Sequence, residues 1–176
     1  MYRVVAFLIF LSMLTQNTAK AQTEMGVSKS YMGLGLGLES SIGLGGGASL
    51  RATYESGVAD IGSGTVTFGG EISSGFNFST NLHTMIGLRS AWYLNTGMLN
   101  FHESDKFNVY AGGSLGLSHY TNTIRYDFTS RRPYTSPYLN IMIGANYFFK
   151  EDMAFFIEQH SGFPASFTYF GIQLWN

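Results

Sequence analysis

The chain contains no cysteine. A disulfide framework, a cysteine-ligated metal and a lipid-modified cysteine anchor are therefore excluded. Charge is scarce too. Asp, Glu, Lys and Arg together make up 12% of the residues, about half the share in a typical soluble chain. The formal net charge of -1 leaves no basic footprint for nucleic acid. Only 3 prolines interrupt the sequence. Past the first residues, no segment is apolar over the roughly 20 positions that a membrane helix needs. With helices excluded, an exported chain this apolar is either a soluble β protein or a closed membrane barrel.

What is abundant is glycine and aromatic residues: 22 glycines, with Phe, Trp and Tyr at 16%. The glycines are ordered. In Tyr31-Met32-Gly33-Leu34-Gly35-Leu36-Gly37-Leu38-Glu39, leucines hold one parity and glycines the other. A strand turns successive side chains to opposite faces. One face is therefore oily and the other nearly bare.

The first residues read as an export signal. Arg3 is followed by a short apolar run, and Ala19-Lys20-Ala21 offers a cleavage point before Gln22. Domain boundaries follow: signal peptide 1–21, a short periplasmic lead-in 22–30 and a barrel 31–176. Cleavage removes Arg3 and Lys20, leaving 8 basic and 11 acidic residues, a formal charge of -3.

Turn chemistry divides the remainder into eight strands, 31–40, 48–55, 65–78, 82–94, 106–120, 137–149, 153–160 and 166–175. Parity sorts their residues into an apolar list (Leu34, Leu50, Ile72, Ile86, Leu117, Ile141, Ile157, Ile172) and a small or polar one (Gly35, Ser49, Thr67, Gly87, Ser114, Asn140, Gly144, Gln173). Alternation alone leaves both faces open. The polar list is rich in Gly and Ser and poor in Lys, unlike a soluble surface. Small residues also suit the narrow interior of eight strands. Tyr54, Phe68, Trp92, Phe107, Phe149 and Phe155 gather toward one set of strand ends, as an aromatic girdle would. The expected fold is an all-β, eight-stranded antiparallel up-and-down transmembrane β-barrel. Both termini should be periplasmic, with 41–47, 79–81, 121–136 and 161–165 facing outward.

The chain resembles the small outer-membrane β-barrel proteins common in Bacteroidetes-like Gram-negative bacteria. The resemblance rests on residues 54–70 (YESGVADIGSGTVTFGG), on Ile86-Gly87-Leu88-Arg89, Val109-Tyr110-Ala111-Gly112, Ile143-Gly144-Ala145-Asn146-Tyr147-Phe148 and Phe156-Ile157-Glu158. Their order and spacing run through most of the mature chain. The resemblance implies a fold and a location in the cell outer membrane, without a shared enzymatic activity. Its glycine, arginine and glutamate positions match Gly87, Arg89 and Glu158. The chain departs from the pattern at its end, Leu174-Trp175-Asn176, where such barrels often place an outward aromatic.

Arg51, Glu55, Glu71, Arg89 and Glu158 all fall on the inward parity. Charge in a narrow lumen must pair. These five are expected to form a network, either as a plug that fills the interior or as the gate of a narrow solute pore. Eight strands favour the plug. His160 and Ser161 are adjacent and should point to opposite faces, against the triad of a lipid-modifying barrel enzyme. No catalytic residue, metal or cofactor is assigned. His83, His102 and His119 lack ligand spacing. Arg125, Arg131 and Arg132 sit in the longest outward gap, where guanidinium groups suit the phosphates of lipopolysaccharide.

The expected role is structural or interactive. The partners would be outer-membrane lipid, lipopolysaccharide and a surface partner meeting 121–136, on a monomer. The alternatives are a narrow pore, a lipid-modifying enzyme and a soluble ligand-binding β-barrel.

Overall fold

A computed structural model describes residues 25–39, 46–77, 81–95, 106–122, 133–163 and 166–176. The export signal at 1–21 and the arginines at 125, 131 and 132 lie outside these residues. Eight strands are present: β1 (Ser30–Glu39), β2 (Gly47–Ile61), β3 (Gly64–Asn77), β4 (Asn81–Leu94), β5 (Phe107–Asn122), β6 (Tyr134–Lys150), β7 (Met153–Phe163) and β8 (Phe167–Trp175). Each pairs antiparallel with the next, and β8 returns to β1. Closure removes every sheet edge, as a strand structure in hydrocarbon requires.

The register sets the barrel's dimensions. From Leu34, the pairs run through Ala52, Ile72 and Ile86 to Leu117 on β5. The other way round they run through Ile172, Phe155 and Tyr147 to Phe107, ten residues along the same strand. A stagger of ten over eight strands tilts them by about 40° and gives a backbone radius of about 8 Å. Side chains from opposite walls meet across that distance, so the lumen must be filled.

Burial alternates as a closed wall demands. On β1, Tyr31, Gly33, Gly35 and Gly37 are buried, while Met32, Leu34, Leu36 and Leu38 are exposed. Exposure of Leu34 at 64% and Ile141 at 70% puts the greasiest positions outside the closed wall. Arg51, Glu55, Arg89 and Glu158 are fully enclosed. This inside-out arrangement is that of a transmembrane barrel. Outward polar groups are satisfied locally. Thr168 Oγ1 donates to Gln159 Oε1 at 2.5 Å, and Gln159 Nε2 to the His160 carbonyl at 2.8 Å.

Several boundaries differ from the sequence reading: β5 runs to Asn122, β6 starts at Tyr134 and β7 runs to Phe163, so the expected outward gaps 121–136 and 161–165 are partly strand, and the largest difference is in β2. Residues 57–64 are expected to be a turn, yet β2 continues to Ile61 and the turn is Gly62-Ser63 alone. Gly62 takes a φ of 62°, which a two-residue hairpin loop asks of glycine. A register shift between Gly57 and Ala59 lets β2 carry the extra residue.

Candidate functional site

The glycine ladder is the mould for a stack of aromatic rings. On β1, a Cβ at Gly37 would overlap the Tyr169 ring, and one at Gly35 would meet Phe156. A Cβ at Gly144 would strike Tyr110, which lies opposite it in the β5–β6 register. Tyr138 lies over Gly87 and Gly116 in the same way. The glycines leave room for rings that carry hydroxyls into the centre.

Those hydroxyls surround a buried ion network. β2 supplies Arg51 and Glu55, β3 supplies Glu71, β4 supplies Arg89 and β7 supplies Glu158. Arg89 Nη2 donates to Glu158 Oε2 at 2.8 Å across the lumen. Its Nη1 lies 3.5 Å from Glu71 on the neighbouring strand, and its Nε meets Glu55. Arg51 pairs with Glu158 and lies 3.7 Å from Glu71. Its guanidinium sits 3.9 Å from the centre of the Tyr169 ring, a cation–π contact in a desolvated site. Arg51, Glu55, Glu71, Arg89 and Glu158 therefore join one network, with bridges both across the lumen and between adjacent strands.

Hydroxyls and an imidazole adjoin it. Tyr110 OH donates to Glu158 at 2.6 Å and Tyr138 OH to Glu71 at 3.0 Å. Tyr31 and Thr67 both donate to Glu55. Tyr93 OH donates to Tyr31 OH at 2.6 Å. His160 Nε2 lies 2.5 Å from Glu158 and 2.7 Å from Arg51. A buried charge is tolerated when its remaining lone pairs and protons are met in this way.

The parity reading missed Tyr31, Tyr138 and His160 as members of the network. The available signal was an inward ring across from a glycine. His160 is buried while Ser161 faces out, so the two do not share a face. His83 also faces the lumen, 5.4 Å from the Phe167 ring. His119 is exposed, with Nδ1 2.9 Å from Thr135 Oγ1.

Toward the end where both termini lie, the lumen closes on Tyr93, Tyr110, Phe148 and Trp175. Trp175 stacks on Tyr31 at 5.2 Å and donates Nε1 to Gln173 at 3.1 Å. The terminal aromatic therefore points inward and seals the barrel. On the outside of the same half, Tyr54, Phe68, Trp92, Phe107 and Phe155 are exposed, and Phe149 packs on Phe155 at 4.4 Å.

A closed eight-stranded wall, apolar outside and ionic within, defines the chain as a small transmembrane β-barrel. No family model and no curated protein matches it. Among solved structures it is similar to Neisserial surface protein A, with a TM-score of 0.58 and 13% identity over 83% of this chain and 96% of that one. It is also similar to the N-terminal β-barrel domain of Pseudomonas aeruginosa OprF, at 0.51 and 14%, covering 86% and 100%. Ail, the attachment invasion locus protein of Yersinia pestis, gives 0.52 and 8%, with coverage of 86% and 100%. All three are small eight-stranded outer-membrane barrels. At these identities the likeness is one of fold.

Proposed function

We propose that the chain is an outer-membrane barrel, exported through a cleaved signal at 1–21, with a structural or surface-interaction role and a plugged lumen. The observation that carries this reading is the ion network. Two guanidinium groups and three carboxylates fill the centre of a barrel about 8 Å in radius, and an aromatic layer closes one end. Such an interior rigidifies the wall and leaves no wide path. Interaction with the outside then falls to the outward loops. Arg125, Arg131 and Arg132 suit the phosphates of lipopolysaccharide or an acidic surface partner. The six outward aromatics serve as the girdle on the periplasmic side, and the barrel acts as a monomer.

Fractionation of Gram-negative cells tests the location. The chain should go with outer membrane and migrate differently on gels before and after boiling. Recovery as a free periplasmic protein contradicts the proposal. Planar bilayers separate plug from pore. The plug gives silent membranes. Steady single-channel steps favour the second reading, an Arg89 gate, for which the contacts of Arg89 with three carboxylates would supply alternative partners.

A further inference from the structure

The chain just before β1 does not hang free of the barrel. Met25 is 2% exposed and joins the lumen cluster of Tyr31, Tyr93, Tyr110, Phe148 and Trp175. Val27, two residues on, is 49% exposed. The strap 25–29 thus folds back so that one side chain enters the mouth. Hydrogen bonds to β2 and β3 hold it, among them Ser56 Oγ to the Lys29 carbonyl at 3.4 Å. Thr65 Oγ1 lies 2.7 Å from the Met25 carbonyl and 2.6 Å from Asp60 Oδ1, and its one proton is shared between these two acceptors. Ser28 N donates to the Gly57 carbonyl at 3.3 Å, and Gly57 N to the Lys29 carbonyl at 2.9 Å. A Cβ at Gly57 would overlap the Gly26 carbonyl, so only glycine lets the strap lie this close. The fold-back turns at Ser28, whose φ of 77° is costly for any residue but glycine. A cavity of about 340 Å³ remains between the strap and the β2–β3 turn, lined by Met25, Lys29, Asp60 and Thr65 among others.

We propose that residues 25–29 are a built-in plug of the terminal mouth, with Met25 as its stopper and Gly57 and Thr65 as its catch. A merely adjoining lead-in would need neither a strained turn nor a glycine beneath it. The bulge beside Gly57 is the adjustment of the wall that receives the strap. The plug is independent of which side of the membrane the mouth faces.

The absence of cysteine makes the test clean. Met25→Cys and Val27→Cys are made separately in the full mature chain, refolded into detergent micelles, where both mouths of the barrel are open to solvent, and treated with a water-soluble maleimide. The maleimide should label Met25→Cys about tenfold more slowly than Val27→Cys, because thiol reactivity follows exposure. Adding Gly57→Ala, or Thr65→Val as a second route, should bring the Met25→Cys rate close to that of Val27→Cys. The boil-dependent gel shift verifies that each barrel is folded. Equal rates in the parent background overturn the plug. Slow labelling that persists in both Gly57→Ala and Thr65→Val overturns the catch.

Discussion

Arg89→Ala removes the one cation, among the described residues, that touches Glu55, Glu71 and Glu158 together. Arg89 meets Glu158 at 2.8 Å, Glu71 at 3.5 Å and Glu55 through Nε. After its loss, Arg51 still serves Glu158 and Glu71. Glu55 keeps only the neutral donors Tyr31 and Thr67. One carboxylate is thus left buried without a counter-charge, a situation that costs about 3–5 kcal/mol. That corresponds to a shift of roughly a hundred- to several-thousand-fold in the folding equilibrium. Urea titration in lipid vesicles, read by the boil-dependent gel shift and tryptophan fluorescence, should show the midpoint falling by about 2 M. Adding Glu55→Gln should restore part of the loss, because it removes the stranded charge. Strict additivity of the two substitutions, or a cost for Arg89→Ala below about 1 kcal/mol, would refute the reasoning.

Other consequences follow from the wall. Gly144→Leu should push Tyr110 off Glu158 and prevent folding or destabilise it by more than about 3 kcal/mol, measured by the same titration. Ile141→Arg, on the lipid face, should cost about 2–4 kcal/mol, as for arginine near the bilayer centre. Equal stability of that variant in lipid would place β6 the other way round. Tyr138→Phe should cost about 1–3 kcal/mol by leaving Glu71 without its 3.0 Å donor; unchanged stability would mean that Glu71 is fully served by the arginines. Deleting 123–132 should abolish surface binding while leaving the urea midpoint unchanged. Unaltered binding would remove the outward arginines from the proposed role.

The wall was legible in the sequence because strand parity is local. Leu34 against Gly35 already separates lipid from lumen, and the observed burial follows it through β1. Arg51, Glu55, Glu71, Arg89 and Glu158 were readable for the same reason, since inward charge in a narrow lumen must pair. Their partner pattern was not, because it depends on a ten-residue stagger that only closure reveals. Tyr138 and Phe156 were missed as interior residues because aromatics on a strand suit lipid and lumen alike. Their fit shows only when Gly116 lies opposite Tyr138 and Gly35 beneath Phe156. The strap at 25–29 was read as a polar lead-in. The strap that carries Met25 into the lumen is held by contacts with Gly57 and Thr65, on strands distant in sequence, and no local pattern records them.

The central claim is that the apolar parity faces lipid and the polar parity faces a filled interior. The chain has 2 tryptophans, one on each side of that division. Trp92 is 36% exposed on the outer wall, and Trp175 is 9% exposed among lumen aromatics. Single-tryptophan chains, Trp175→Phe and Trp92→Phe, refolded into vesicles of brominated lipid, test the division directly. Bromine should quench Trp92 strongly and leave Trp175 nearly untouched. Equal quenching of the two, or stronger quenching of Trp175, would contradict the account.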